Sequence, residues 1–335
     1  MMEALLRISN LTVHFDTEEG IVEAVDGVDL AVRPGEIMGV VGESGSGKSV
    51  TALAILRLIR PPGRIIPGEI RFEDKNLLEL SEEEMRPLRG SHISMIFQSP
   101  RTSLNPVLSV GWQIERLLRL HKKKDPKTAR DHAIQMLKQV GIPAPERIYH
   151  EFPHQLSGGM CQRIMIAMAL VTNPKLLIAD EPTTGLDVSI AAQILDLLKE
   201  MGERTGATIL LITHDLGVVA GYCNRVAVMH AGQIVETADV KELFHRPLHP
   251  YTLKLIHSIP RVDVDTVMET IPGNVPGLVH PPPGCRFADR CLLVTEDCRK
   301  MKPEMKAFPG DHWVACYAVE KGIEHRANIY NGGRP

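Results

Sequence analysis

The chain has 335 residues, 44% of them hydrophobic, and a formal net charge of −3. That length exceeds one minimal domain and fits two or three lobes with real cores. The lack of a basic excess argues against nucleic acid as a partner, and no run of about 18 apolar residues offers a membrane-spanning helix. The start, Met1-Met-Glu-Ala-Leu-Leu-Arg-Ile8, has an early acid and no long apolar stretch, so it is read as a first strand and not an export signal. The six cysteines then belong in a reducing compartment, which disfavours structural disulfides; four of them fall in the last fifth of the chain.

Residues 4–15 show strand-like apolar spacing, broken at Ser9-Asn10, and Ile21 to Val32 alternates again after a turn at Asp16–Gly20. Two such strands suggest a small antiparallel β-subdomain. Phe15, at a strand end, is on its own read as a core residue. Gly35 to Val41 is apolar enough for a buried parallel strand, and Val50 to Ile59 is rich in helix formers. Between them stands Gly42-Glu-Ser-Gly-Ser-Gly-Lys-Ser49, a G-x-x-x-x-G-K-S phosphate loop in its required strand–turn–helix context. Free backbone N–H groups at a helix N-terminus attract phosphate, and glycines let the backbone wrap closely. Lys48 places a charge on the β/γ-phosphates, and Ser49 offers a hydroxyl to Mg²⁺. The expected nucleotide-binding set here is Gly42, Glu43, Ser44, Gly45, Ser46, Gly47, Lys48, Ser49 and Val50.

Arg60-Pro-Pro-Gly63 stops the first helix, and Gly68–Phe72 reads as a strand. Ser81-Glu-Glu-Glu84 resembles a capping box ahead of a short helix. Ile93–Phe97 is a further strand, ending at Gln98, and Ser99–Pro106 breaks regular structure. Apolar residues at three- and four-residue steps make Val110 to Val140 helical, with Lys122-Lys-Lys124 as a solvated loop or helix end; Pro143 to Pro153 is irregular. Leu156-Ser-Gly-Gly-Met160 opens a helix over Cys161–Thr172; its glycines are a loose cap or a second anion site. Lys175 to Glu181 is a buried strand ending in two acids. Carboxylates at the C-terminal edge of a sheet suit a cation and a water: Asp180 for Mg²⁺, Glu181 for activating the water. Val188–Met201 is an amphipathic helix, and Thr208–Thr213 is a buried strand that delivers His214 to the same edge. Arg225–Met229 and Gln233–Val235 form a hairpin through Ala231-Gly232.

Taken together, residues 4–258 resemble the nucleotide-binding subunit of an ABC transporter. Residues 42–49 resemble its Walker A loop, Gln98 its Q-loop glutamine, and Leu156–Met160 its LSGGQ signature, departing at Met160. Leu176–Asp180 resembles Walker B, followed by the catalytic Glu181; Gly185-Leu-Asp187 resembles the D-loop, and His214 the switch histidine. Phe15 matches the aromatic position that stacks on adenine. The resemblance implies an α/β ABC-type nucleotide-binding domain: a RecA-like P-loop core with antiparallel β-subdomain over 4–98 and 173–258, and an inserted α-helical subdomain over 99–172 that docks on a membrane partner. A small Cys-containing C-terminal extension over 259–335 follows. The family's mechanism implies ATP hydrolysis with Mg²⁺ held by Ser49, Gln98 and Asp180, and two subunits closing over two ATPs. Ser157, Gly158, Gly159 and Asp187 then serve the partner's nucleotide, with Glu181, His214 and Gln98 as the catalytic set. Met160 leaves the backbone groups of the signature untouched, and Cys161 has no assigned role.

His245-Arg-Pro-Leu-His-Pro-Tyr-Thr252 and Pro272 to Cys285 resemble the C-terminal extension of dipeptide/oligopeptide importer ATPases. Such a subunit works with a second ATPase subunit (a heterodimer, with a homodimer as the alternative), two transmembrane permease subunits and an extracytoplasmic peptide-binding protein. It sits as a peripheral protein on the cytoplasmic face of the membrane. Nickel and glutathione importers share the branch. The tail carries Cys285, Cys291, Cys298 and Cys316 with the spacing C-x5-C-x6-C-x17-C, looser than zinc ribbons and unlike the common ferredoxin runs. By resemblance to peptide-importer ATPases with this cysteine set, they imply a [4Fe–4S] cluster. Zn²⁺ is the alternative, with His312 replacing one thiol, and four unligated cysteines is the third reading. Cys223 is read as core, and residues 319–335 as a polar tail without regular structure. The rivals are an ABC-type ATPase outside transport, which would need a long coiled coil or a duplicated domain, and a tail that acts as a redox sensor or docking module.

Overall fold

The computed structural model describes residues 4–66, 68–259, 271 and 273–322. They form two compact units, one from Met1–Leu6, Ala31–Ile37 and Arg71–Ile212, the other from Arg7–Leu30, Met38–Ile70 and Thr213–Pro335.

The first unit is built on parallel strands Ile93–Ile96, Leu176–Asp180 and Thr208–Thr213. Leu176–Asp180 is buried along its whole length, as a strand covered on both faces must be. Its apolar run therefore shows no alternation. Helix Val188–Thr205 crosses over between the second and third of these strands. The segment between Ile96 and Leu176 is helical. Val110–Lys122 ends at Lys123 in the left-handed region, and Pro126–Gln139 restarts with Asp125 capping Thr128 N–H at 3.1 Å. The long periodic stretch is thus two helices, broken at the lysine run. The capping box is present, with Glu84 N donating to Ser81 Oγ at 3.2 Å and Ser81 N to Glu84 Oε2 at 2.8 Å. Single helical turns at Pro100–Ser103 and Pro145–Ile148 fall in stretches read as irregular from sequence.

The second unit joins Ile37–Val41 in parallel to Arg225–His230, which pairs antiparallel with Gln233–Asp239. Two short strands of the extension, Lys306–Phe308 and His312–Val314, continue this sheet beyond Gln233–Asp239. Leu6–Thr17 lies beside Gly20–Val32 and pairs antiparallel with Gly63–Ile66, a strand the proline-rich sequence had masked. The break expected at Ser9-Asn10 is a local kink. Asn10 takes a positive φ of 50° while its N–H donates to Asp29 Oδ1, and the strand continues. The first helix runs over Lys48–Ile55, starting earlier and stopping sooner than its composition indicated, because Arg57 turns into the left-handed region. A short helix, Tyr317–Glu320, begins the tail that was read as unstructured; residues 323–335 lie outside the described residues, as do Met1–Glu3 and Pro272. Among the described residues no helix is long and apolar enough to cross a membrane.

Candidate functional site

In the second unit, strand Ile37–Val41 runs into the phosphate loop and helix Lys48–Ile55 leaves it. Two glycines are required by geometry. A Cβ on Gly42 would lie 2.0 Å from the Met229 carbonyl oxygen. Gly47 caps the helix at φ 100°, where a side chain would also meet the Ala24 carbonyl at 2.6 Å. Ser44 and Gly45 are exposed at the crest, while Ser46 and Lys48 are buried. The Lys48 ammonium lies inside the loop, donating to Gly42 O at 2.8 Å, Glu43 O at 2.9 Å and Ser46 Oγ at 3.3 Å. The loop backbone is tied down: Gly232 N donates to Ser46 O at 2.9 Å, and Glu43 N to Tyr251 Oη at 3.0 Å. Ser49 and Val50 are half-buried on the first turn of the helix. Phe15 is half-buried in register with Gly63, where a Cβ would lie 2.5 Å from its ring. His214 is exposed just past strand Thr208–Thr213, and the next residue, Asp215, caps helix Leu216–Tyr222 through Gly217 N at 2.7 Å.

The first unit gathers the acids and the signature. Asp180 is buried at the C-terminal end of its strand, opposite Ile212. Glu181 follows in the left-handed region, with φ 45°, a conformation unusual for a long side chain. Its N–H donates to Ile212 O at 2.9 Å, and its Oε2 accepts from Gln98 Nε2 at 3.0 Å and Thr184 Oγ1 at 2.8 Å. Ser157 caps helix Gly158–Leu170, its Oγ accepting from Met160 N at 3.3 Å. Met160 enters that cap only through its backbone. Asp187 caps Val188–Thr205 by accepting from Ile190 N at 2.9 Å, and these hydrogen bonds hold its carboxyl below the ordinary range. Gln98, Ser157, Gly158, Gly159 and Asp187 all line one open cavity of about 850 Å³. Cys161 is buried and donates its thiol weakly to Pro153 O at 3.5 Å, a packing role.

All four tail cysteines line one enclosed pocket with His249 and Phe287. Its free volume is about 10 Å³, close to that of a single water. Cys291 Sγ accepts from Leu293 N at 3.3 Å and Cys298 Sγ from Thr295 N at 3.5 Å, the kind of bond that supports a metal-bound thiolate. Burial pushes the Cys285 thiol up to about 12 and Cys291 to about 11, with the neighbouring thiols adding to the rise. Among the described residues no group of three or more Cys, His, Asp or Glu stands at a spacing that would hold a metal ion. The expected [4Fe–4S] cluster thus finds convergence of its thiols but no formed ligand set. His312 is not among the residues lining this pocket. Its Nε2 lies 2.6 Å from Glu236 Oε1, both groups buried, and Glu236 also accepts from Leu248 N and His249 N. Cys223 packs against Gly39 in the core, and burial pushes its thiol up to about 12.

A family model described as "ABC transporter" matches residues 25–184, and one described as "Oligopeptide/dipeptide transporter, C-terminal region" matches residues 235–298. The oligopeptide transport ATP-binding protein AppD of Bacillus subtilis is 48% identical over 322 residues, covering 96% of this chain and 98% of that one. The chain belongs to the ABC transporter ATP-binding subunits. The dipeptide transport ATP-binding protein DppD of Escherichia coli is 46% identical over 315 residues, covering 94% of this chain and 96% of that one. Among solved structures, MJ0796, titled a bacterial ABC transporter cassette in dimeric form, superposes with a TM-score of 0.63 at 30% identity, covering 70% of this chain and 98% of that one. The α/β nucleotide-binding fold read from the motifs is therefore the fold of this ABC ATPase. Sequence reading did not find Arg290 and Tyr251 as partners of Glu43, because they lie some 200 residues downstream.

Proposed function

We propose that this ABC subunit hydrolyses ATP to power import of dipeptides and oligopeptides. The observation that carries the reading is the joint presence of a complete phosphate loop, a Gln98–Glu181–Thr184 cluster and a C-terminal region of the oligopeptide/dipeptide type. The proposed organisation is a core over 4–98 and 173–258, a helical subdomain over 99–172 and an extension over 259–335.

Backbone N–H groups of Gly45 to Ser49 and the Lys48 ammonium receive the phosphates, with Ser49, Gln98 and Asp180 as Mg²⁺ partners. Phe15 stacks on adenine. Glu181 takes the proton of the attacking water, oriented by Gln98 and Thr184, and His214 holds water and γ-phosphate in line. Ser157, Gly158, Gly159 and Asp187 serve the nucleotide held by a second ATPase subunit, so each loop is half of a site. The MJ0796 cassette is dimeric by its title, which supports such pairing. Exposed Val107 and Leu120 in the helical segment support docking on two permease subunits, with the chain peripheral on the cytoplasmic face of the membrane. An extracytoplasmic binding protein completes the importer. Nickel and glutathione are the alternative cargoes.

The four converging thiols supply the donor type of a thiolate-held metal, and that chemistry supports the reading. Cys285, Cys291, Cys298 and Cys316 would hold a [4Fe–4S] cluster, or zinc, which would cross-link a segment poor in apolar core. Iron, sulfide and zinc analysis of anaerobically purified protein tests this. Co-purification with the membrane subunits, followed by uptake of di- and tripeptides in vesicles, tests the transport reading. An assembled complex that hydrolyses ATP without moving peptide would refute it.

A further inference from the structure

The phosphate loop carries an acid at its second position. Glu43 stands where an anionic ligand is to bind, and a free carboxylate there would repel it. Glu43 is not free. Arg290 Nη1 donates to Glu43 Oε2 at 2.8 Å, and Nη2 to Oε1 at 2.7 Å, a bidentate pair. The Arg290 side chain is 5% exposed and its guanidinium lies over the Phe287 ring at 5.6 Å. Burial raises the Glu43 carboxyl, but Arg290, joined by His230, outweighs that and holds it at about 2.

Arg290 comes from the extension. It ends a tight turn between two of the pocket cysteines, with Ala288 N donating to Cys285 O at 3.0 Å, Arg290 N to Phe287 O at 3.0 Å and Cys291 N to Ala288 O at 3.2 Å. The same turn also carries Arg286. Arg286 Nη1 donates to Ala231 O at 2.7 Å, and the next residue, Gly232, donates its N–H to Ser46 O at 2.9 Å. Phe287 also packs on Tyr251 at 5.4 Å, and Tyr251 Oη accepts from Glu43 N.

We propose that Arg290 is a positioning residue for nucleotide binding: through Glu43 it neutralises and fixes the phosphate loop, making the cysteine-bearing extension a working part of the ATP site. The inference rests on the reading of Gly42–Ser49 as a nucleotide site.

The experiment is a double-mutant cycle on the full chain, read as the Kd of a fluorescent ATP analogue with Mg²⁺, alongside thermal unfolding. Arg290→Ala raises Kd about tenfold, equivalent to about 1.4 kcal/mol. In the Glu43→Gln background the same substitution changes Kd less than twofold, because the Glu43 charge that Arg290 offsets is then gone. The penalty of Arg290→Ala shrinks as salt rises. Arg290→Lys, which keeps the charge and loses the fork, falls between wild type and Arg290→Ala. If Arg290→Ala does not fold, the Arg290→Lys and Glu43→Gln pair carries the cycle. An unchanged Kd in the Arg290 variants, or an equal loss in both Glu43 backgrounds, overturns the proposal. Absence of saturable binding by the wild-type chain overturns instead the reading of the loop.

Discussion

Replacing Glu181 with Gln separates catalysis from binding in one atom exchange. Glu181 Oε2 accepts from Gln98 Nε2 at 3.0 Å and Thr184 Oγ1 at 2.8 Å. A glutamine at this position keeps one carbonyl oxygen for those two donors and keeps the side-chain length. The φ of 45° is set by the chain turn after strand Leu176–Asp180, so it persists. What disappears is the proton acceptor and its charge. General-base contributions run from about 10²- to 10⁴-fold, equivalent to about 3–5 kcal/mol of barrier. Steady-state phosphate release from the assembled ATPase pair should fall by that factor. The Kd for ATP should stay within about threefold of wild type, since the exchange keeps the side-chain length and a carbonyl oxygen in place. Turnover within a few-fold of wild type would refute Glu181 as the base. Equal losses in turnover and binding would show instead that the exchange disturbs the fold of the edge.

Three further outcomes follow from the same geometry. Gly42→Ala places a Cβ 2.0 Å from the Met229 carbonyl oxygen, so calorimetry should find no nucleotide binding in a chain that otherwise retains its helical circular dichroism. His312→Ala removes the side-chain partner of buried Glu236 and should lower stability by about 1.5–3 kcal/mol in urea unfolding, with ATP affinity unaffected. Burial raises the Glu43 carboxyl, yet Arg290 and His230 depress it from 4.5 to about 2 in the folded chain. Its stabilising contribution is therefore complete above about pH 4.5 and lost as pH falls towards 2. Arg290→Leu removes that depression, so the acid limb of its stability profile should be shallower than wild type over this interval.

Sequence reading reached the site where chemistry is local. The phosphate loop, the acids closing Leu176–Asp180, and the caps Ser81, Ser157 and Asp187 are each written within a few residues, so their geometry follows from short-range rules. Boundaries moved where a residue entered the left-handed region, as at Arg57 and Lys123, since nothing in apolar spacing marks such a turn. Strands Lys306–Phe308 and His312–Val314 were missed because three-residue strands carry no period of their own and form only against Gln233–Asp239. His312 illustrates the limit most plainly. Its place near the cysteines in sequence suggested a metal ligand, and nothing local announced the buried glutamate 76 residues upstream that lies against its Nε2.

The loose spacing of the tail cysteines has a structural reason in this fold. Zinc ribbons place two to four residues between paired ligands. Here the five residues between Cys285 and Cys291 carry Arg286, Phe287 and Arg290. Arg286 reaches the Ala231 carbonyl, Arg290 pairs with Glu43, and Phe287 packs on Tyr251 and His230. A two-residue turn could not present two arginines and an aromatic ring to these separate partners. Shortening the segment to ribbon spacing would bring its cysteines together at the expense of these contacts. Deleting Ala288 and Asp289 should therefore weaken nucleotide binding at least as much as Arg290→Ala, while metal analysis of the same chain shows whether the thiols gain or lose their hold. Unchanged ATP affinity in that deletion would mean that the spacing serves the thiols and not the phosphate loop.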